Sequence, residues 1–221
     1  MSQTESLQVT ERSRFRRHPR LGHHDRAIVN QILDEALVVQ VGFVVENHPF
    51  VIPMGYGREG DRLYLHGATT SRMMKSLEQG VDICVSATLL DGIVIARSLF
   101  HHAMNYRSVV LFGQATLVEG EAAKMQALKV LSEHITPGQW AYARTPNPQE
   151  VKGTTVLSFP IEEGSAKIRS GGPNDSAEDY ALPVWAGQLP LKLTSGTPIP
   201  DAKLAAEITL PANLTHYQRG A

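Results

Sequence analysis

Two cations stand at the start of a predicted helix, in the stretch LYLHGATTSRMMKSL that covers residues 63–77. Arg72 and Lys75 are three residues apart, so a helix places both heads on one face. Cations are unfavourable at a helix N-terminus, where the dipole is positive, and an anion would relieve that conflict. Thr70 or Ser71 can cap the helix, so a hydroxyl, main-chain N–H groups and two cations together predict a phosphate site. The alternative is that Arg72 and Lys75 form a solvated face.

A second polar group lies in FHHAMNYRSVVLFG, at the entry of an otherwise apolar strand. Alternation along a strand puts Asn105 and Arg107 on one face, and Tyr106 and Ser108 on the other. Each pair offers hydrogen-bond donors to a flat heterocycle or to a phosphate. The alternative is that these four residues form only a turn.

Two other motifs fail because of their context. The stretch GYGREG, residues 55–60, matches G-x-G-x-x-G. A strand pattern follows it, whereas a dinucleotide site needs a helix there, so a hairpin turn is favoured. The adjacent pairs His23-His24 and His101-His102 would point to opposite faces of a strand, and no metal site is predicted from them.

The composition of the chain is that of an ordinary globular protein. It has 221 residues, of which 42% are hydrophobic and 19% charged. Its 21 basic and 22 acidic residues nearly balance, so no general attraction to nucleic acid or to a membrane surface is expected. No run approaches the ~20 apolar residues that a membrane helix needs. A chain with a single cysteine, Cys84, cannot form an internal disulfide, which fits a reducing compartment, so a cytoplasmic location is predicted. The side chain of Cys84 is expected to pack in the core.

The elements that must position the polar groups are mostly strands. Hydrophobic alternation predicts LVVQVGFVV, PFVIPMGYG, RLYLHG, VDICVSAT, GIVIAR, YRSVVLFGQATLVEG and TTVLSFPIEEGSAKIRS, the last broken at Pro160 or Gly164. Short turns such as Leu90-Asp91-Gly92 join them, so the pairing is antiparallel, and a barrel or a sandwich is favoured. Helices are predicted over about residues 25–36, 70–79 and 120–134.

Residues 1–221 are predicted to form one domain, because no Pro/Gly linker divides the first 165 residues. Residues 1–24 form a basic extension, for which a solvated or packing role is favoured over a nucleic-acid arm. Residues 171–221 form an extended tail rich in Gly, Pro, Ser and Asp. The apolar stretch YALPVWAGQLPL within that tail is expected to pack on the rest of the protein, because a disordered tail rarely carries so much apolar surface.

Together these pieces resemble the pyridoxamine 5'-phosphate oxidase-like family of FMN-binding split barrels, in its flavin-nucleotide-binding and nitroimidazole-resistance branch. The resemblance is carried, in the family's order, by PFVIPMGY, LYLHGATTSRMMKSLEQG, HHAMNYRSVVLFG, EHITPGQW, SAKIRSG and PVWAGQLPL. It implies a mainly β fold, a six-stranded antiparallel Greek-key split β-barrel with a few flanking helices. It also implies a homodimer that holds two FMN molecules at its interface.

The resemblance further implies which residues hold the FMN. The family's phosphate contacts match His66, Thr70, Ser71, Arg72 and Lys75. Its isoalloxazine contacts match Ile52, Pro53, Met54, Asn105, Arg107 and Ser108, and the aromatic residue that approaches the flavin from the other subunit matches Trp185. In nitroimidazole-resistance relatives a histidine before the phosphate loop is functionally implicated, so His66 is the candidate catalytic residue. A packing role or a backbone contact is the alternative for His66.

An FMN-dependent oxidoreductase is the resulting hypothesis, in which electrons pass from a reduced donor through FMN to a small-molecule acceptor. The stretch GQLPLKLTSGTPIPDAK lacks the arginine and histidine motif with which true pyridoxamine phosphate oxidases grip pyridoxal phosphate, so that substrate is not expected. A non-catalytic flavin carrier or redox sensor is one alternative. Haem binding, with His66, His101 or His102 on the iron, is another.

Overall fold

The computed structural model describes residues 5–218 and contains ten strands and six α-helices in that range. The strands are β1 (Gly22–His23), β2 (Val38–Val45), β3 (His48–Glu59), β4 (Arg62–Ala68), β5 (Asp82–Ile95), β6 (Ala103–Gln114), β7 (Thr116–Leu117), β8 (Thr154–Pro160), β9 (Glu163–Arg169) and β10 (Gly187–Pro190). The helices are α1 (Arg26–Glu35), α2 (Arg72–Glu78), α3 (Glu121–Ile135), α4 (Gln139–Tyr142), α5 (Pro148–Lys152) and α6 (Ala212–Thr215). None of these helices has the length and apolar character that crossing a bilayer requires.

The three helices predicted from the sequence are confirmed, and each begins at a cap. The Asp25 carboxylate accepts hydrogen bonds from the second and third N–H groups of α1, as N-cap residues do. Ser71, rather than Thr70, caps α2 by accepting from the Met74 N–H. α3 follows Gly120, whose φ of 82° lies in the left-handed region that glycine tolerates.

The chain packs into two compact units, each assembled from separate stretches of sequence. Unit 1 comprises the described part of Met1–Ala36, with Val85–Phe112 and Glu162–Leu193. Unit 2 comprises Leu37–Cys84 and Gly113–Ile161, with the described part of Thr194–Ala221. That the chain folds as a single domain stays a prediction.

Unit 1 is built on strands in the order β1-β9-β6-β5, with β10 also on β5. β9 pairs antiparallel with both β1 and β6, and β10 pairs antiparallel with β5. The apolar face of α1 contributes Val29, Ile32 and Leu33 to the buried core of this unit. β10 lies in the apolar stretch of the tail, and its pairing attaches residues 187–190 to β5.

The basic N-terminal extension, in its described part, is also attached to unit 1. Leu7 is 3% exposed, and its N–H donates to the His24 carbonyl oxygen at 2.8 Å. Arg12 donates two hydrogen bonds to the Glu163 carboxylate, at 2.7 and 2.6 Å. Arg12 is therefore engaged by a carboxylate of its own chain.

Unit 2 carries strands in the order β2-β3-β4-β8-β7, with antiparallel ladders throughout. β3 and β4 form a hairpin in which Glu59 pairs with Arg62 around Gly60. Gly60 has a φ of 56°, which turns the chain sharply. The hairpin interpretation of GYGREG is thus confirmed, and no helix follows that motif.

α3 packs on β3 at a glycine of the same motif. A Cβ on Gly57 would lie 2.7 Å from the main-chain nitrogen of Leu131 and 2.8 Å from its α-carbon. Real Cβ atoms do not approach a backbone so closely, so only glycine lets the helix rest on the strand here. This close approach sets the position of α3 above the sheet.

The mainly β fold is confirmed, but the prediction of six strands is wrong, because residues 5–218 form ten. One stretch predicted as a single strand divides in two at Ala115, whereas the break predicted at Pro160 is present, because β8 ends there. Conversely, VDICVSAT and GIVIAR form the single strand β5. The predicted turn at Leu90-Asp91-Gly92 does not form, because Gly92 pairs with Pro190 of β10 and continues the ladder.

Candidate functional site

The predicted phosphate residues lie together in unit 2, where β4 leads into α2. The Ser71 hydroxyl oxygen accepts a hydrogen bond from the Met74 N–H at 3.4 Å. The Arg72 guanidinium lies over the ring of Phe50, with 5.0 Å between its Cζ and the ring centroid. Arg72, Lys75 and Thr70 are exposed. Among residues 5–218, no carboxylate forms an ion pair with either cation, so both are available to an anion.

His66 lies on β4, opposite Val156 of β8. Its side chain is one wall of a cavity of about 330 Å³ within unit 2. The other walls come from α3, α4 and the chain that follows, including Leu128, Leu131, Ile135, Trp140, Ala143 and Arg144. The ring keeps accessible surface, yet the neighbouring groups shield it from bulk water, and this desolvation lowers the pKa of His66 below its ordinary value. The lowered pKa favours the neutral imidazole, which is the form that binds metals.

The predicted ring contacts Ile52, Pro53 and Met54 lie in the first part of β3. There β3 pairs with β2, with Pro53 opposite Gln40. β4 pairs only with the four residues from Tyr56 to Glu59. In the described chain, the other edge of β3 is thus unpaired at Ile52, Pro53 and Met54, an arrangement in which a proline is tolerated. The main chain along this edge can offer hydrogen bonds to a ligand.

Arg107, predicted to contact the flavin ring, is held in unit 1 by two carboxylates. It donates to both oxygens of Asp91, at 3.0 and 2.8 Å, and to both oxygens of Glu35. These hydrogen bonds, first to Glu35 and then to Asp91, raise the pKa of Arg107 above its ordinary value. Four of its N–H groups are used inside the chain, so the main observed role of Arg107 is to join α1 to β5.

Asn105 faces the same groove of unit 1 as Arg107, as the strand alternation predicted. It is 6% exposed, and its amide donates to the Gly171 carbonyl oxygen at 3.1 Å and to the Gln188 side-chain oxygen at 2.8 Å. Its own side-chain oxygen accepts a hydrogen bond from Arg169. The buried amide is therefore fixed in one orientation, with its oxygen towards Arg169.

Two further predicted contacts also lie in unit 1. Ser108 is half-buried on β6, opposite Lys167. Trp185 is 68% exposed. A Cβ on Gly187 would lie 2.9 Å from the Trp185 ring, so the ring rests against that glycine. The contacts of Ser108 and Trp185 with a flavin stay predictions.

The sequence profile of the pyridoxamine 5'-phosphate oxidase family matches residues 25–168 of the chain. The chain belongs to this family. The family proposed from the sequence motifs is thereby confirmed. No curated protein matches the chain.

Two solved structures are more than 30% identical in sequence to this pyridoxamine 5'-phosphate oxidase family member and cover most of its length. The flavocytochrome Anf3 from Azotobacter vinelandii is 38% identical, with 96% of this chain and 98% of that chain covered and a TM-score of 0.90. The FAD and haem binding protein from Mycobacterium smegmatis is 34% identical, with 88% and 96% covered and a TM-score of 0.85. A candidate 5-nitroimidazole antibiotic resistance protein from Bacteroides thetaiotaomicron is 23% identical, covers 66% and 86%, and has a TM-score of 0.57, which supports the fold alone.

Sequence reasoning missed three features of this family member. The cavity beside His66 depends on the packing of α3 on β3 and β4 and of α4 on α3, and no local pattern indicates that packing. The partners of Arg107 are 72 and 16 residues away along the chain. Arg169 stands out in the sequence only as part of SAKIRSG, and its position at the end of a predicted strand is the one available signal.

Proposed function

We propose that this protein binds a flavin and a haem and transfers electrons from a reduced donor to a small-molecule acceptor. One observation carries the proposal: over 96% and 88% of its length, the chain is similar to a flavocytochrome and to an FAD and haem binding protein. When bound, the flavin supplies exchange between two-electron and one-electron chemistry, and the haem supplies an iron that accepts single electrons. The chain's own residues would hold and orient both groups.

The residues around α2 suit a flavin phosphate. Arg72 and Lys75 supply two exposed positive charges without competing carboxylates among the described residues. The Thr70 hydroxyl is exposed beside them, and Phe50 holds the Arg72 guanidinium in place by stacking. FMN is the flavin that the resemblance to the family implies, whereas the mycobacterial relative is described as binding FAD. Both flavins carry a phosphate next to the ribityl chain, so the same cations serve either one.

Of the three histidines considered as haem ligands, His66 suits the role best. The Nε2 atom of His102 lies 3.1 Å from the Ala96 carbonyl oxygen and is occupied by that hydrogen bond. The Nδ1 atom of His101 lies 3.9 Å from the Asp175 carboxylate, which also pairs with Arg97, so a carboxylate faces that nitrogen. His66 instead faces a cavity with mainly apolar walls, at whose rim Arg144 pairs with Glu150, and desolvation lowers the pKa of its ring.

A homodimer belongs to the same proposal. Trp185 is largely exposed in the single chain, as expected for an aromatic side chain that reaches towards the flavin of a second copy. Asn105, Arg107 and Ser108 would then lie near the ring, with Asn105 held rigid by its hydrogen bonds. Light scattering of the purified protein measures the number of chains.

The deciding experiment is an absorption spectrum of the purified protein, followed by extraction and mass analysis of its cofactors. We expect a Soret band together with flavin absorption, and a mass that distinguishes FMN from FAD. Reduction by NADH or NADPH, followed by bleaching of the flavin and reduction of the haem, would support electron transfer. A protein that purifies without either group and binds neither when both are added would contradict the proposal.

A further inference from the structure

A groove of about 370 Å³ lies within unit 1, between Asp91 and Gly92 of β5 and residues of β6, β9 and β10. Its size is at the lower end of small-molecule sites, which span ~300–1,000 Å³. Polar walls come from Asp91, Asn105, Arg107, Arg169 and Gln188, and apolar ones from Ile168 and Pro190. A few fixed polar groups among apolar walls are typical of a site that orients a small ligand.

The two arginines of the groove differ in their charge balance. Arg107 faces two carboxylates, so its charge is more than compensated. Arg169 instead has the neutral side-chain oxygen of Asn105 as its partner. In the part of the chain that the structure describes, no carboxylate pairs with Arg169. An arginine stays protonated in proteins, so a bound anion would stabilise this half-buried positive charge.

The position of Arg169 is fixed by the buried side chain of Asn105. Asn105 accepts from it, and Gly171 and Gln188 fix the amide of Asn105 in turn. The guanidinium has five N–H donors in a planar fork, which suits the two oxygens of a carboxylate or a phosphate. Beside it, a Cβ on Gly171 would meet nothing within 4 Å, so the space next to the fork is open.

We infer that this groove binds the carboxylate or phosphate group of a small organic molecule through Arg169. The apolar faces of Ile168 and Pro190 receive the body of the molecule, and the Asp91 end of the groove accepts an N–H or O–H group from it. The inference does not rest on the flavin and haem proposal. Its test measures the heat of anion binding, whereas the test of the flavin and haem proposal measures absorption and electron transfer.

The test is calorimetric titration of the full-length, cofactor-loaded protein with benzoate and with inorganic phosphate at low ionic strength. We expect at least one of the two to bind with a Kd below millimolar, and Arg169→Gln to weaken that binding at least tenfold. Arg20→Gln, which removes an exposed charge outside the groove, is the matched control and should bind as the unchanged protein does. No heat from either probe with both the cofactor-loaded and the cofactor-depleted protein, or equal binding by Arg169→Gln, would overturn the inference.

A crystal structure of the unchanged protein with the bound probe tests the same point without a variant, in case Arg169→Gln does not fold. An anion within hydrogen-bond distance of Arg169 supports the site, and an anion found only elsewhere overturns it. Repeating the titration on cofactor-depleted protein identifies the natural source. Binding to both forms indicates a separate ligand, and binding only after depletion indicates a phosphate of the nucleotide cofactor; both results support the anion site.

Discussion

At the scale of single residues, the neighbours of a side chain decide the chemistry that remains open to it. Arg107 donates four hydrogen bonds to Glu35 and Asp91 and thereby joins α1 to β5. Arg169 faces the same groove with one neutral partner and keeps its charge for a ligand. Desolvation lowers the pKa of His66 and so favours its neutral form. None of these differences can be read from the residue types.

Replacing His66 tests the haem ligand directly. We expect His66→Ala to lose the Soret band at least tenfold while flavin absorption stays, because no other described side chain offers a neutral imidazole to the cavity. His102→Ala is the control and should keep its haem. Absorption spectra of both purified variants give the haem content per chain, and an unchanged Soret band in His66→Ala would assign the iron to another ligand.

Replacing the cations of α2 tests the flavin phosphate. Each of Arg72→Ala and Lys75→Ala should weaken flavin binding by about 1.5–3 kcal/mol, the usual value of a charge-assisted hydrogen bond. The melting temperature of each variant should equal that of the unchanged protein, because both side chains are exposed. Flavin fluorescence titration measures the affinity, with Lys203→Ala as the exposed control. Unchanged affinity in both variants would leave these cations as a solvated face.

At the scale of elements, local pattern predicted most strands and helices, and long-range pairing decided the remainder. The three main helices follow from apolar spacing and their caps. β5 runs straight through Asp91 and Gly92, although these residues are typical of turns. Asp91 accepts from Arg107, and Gly92 pairs with β10, which is almost a hundred residues further along the chain. A local sequence pattern does not show which distant residues will pair. Neither the unbroken course of β5 nor the groove beside it could therefore be predicted.

The packing of α3 on β3 is tested by adding a single methyl group. Gly57→Ala should destabilise the protein by about 1–3 kcal/mol, as overpacking does, because the new Cβ meets the backbone of α3. Gly55→Ala on the same strand meets only the end of the Ile135 side chain, at 3.3 Å, and is the matched control. Urea unfolding measures both variants. Equal stability of the two would mean that α3 can shift at little cost.

Asp175 holds the start of the C-terminal tail to the end of β5. Its side chain has no accessible surface, and it accepts hydrogen bonds from the N–H groups of Arg97 and Ser98 and from the Arg97 guanidinium. Burial alone would raise the pKa of Asp175, but these donors outweigh burial and lower the pKa below its ordinary value. The carboxylate therefore stabilises the fold above its ordinary pKa, and this contribution is lost as the pH falls through the folded value.

Asp175→Asn should lower Tm by several degrees at pH 7, and the difference from the unchanged protein should shrink as the pH approaches 3. Glu178→Gln, an exposed change in the same segment, should leave Tm unaltered at both pH values. Circular dichroism melting curves at a series of pH values measure the effect. A constant difference across the series would show that the charge of Asp175 is not what holds the tail.

At the scale of the whole molecule, the two units are woven from alternating stretches of one chain. Each contains at least three separate segments, and β5 begins in one unit and ends in the other. Such weaving predicts that the units unfold together, in agreement with the single domain expected from the sequence.

Amide hydrogen exchange distinguishes one cooperative domain from two. The buried strands β6 and β9 report on unit 1, and β4 and β8 report on unit 2. We expect the slowest amides of both pairs to open with the same free energy and the same dependence on urea. Two clearly separate values would show that the units are independent folding domains.

The chain has two tryptophans, and the structure places them in different units. Trp140 forms part of the cavity wall beside His66, while Trp185 stands exposed in unit 1. The protein therefore carries its own optical reporter of cavity occupancy. A porphyrin in that cavity would quench the indole emission of Trp140 by energy transfer, and a Trp185→Phe variant would isolate that signal, so cofactor uptake could be followed in real time without any added label.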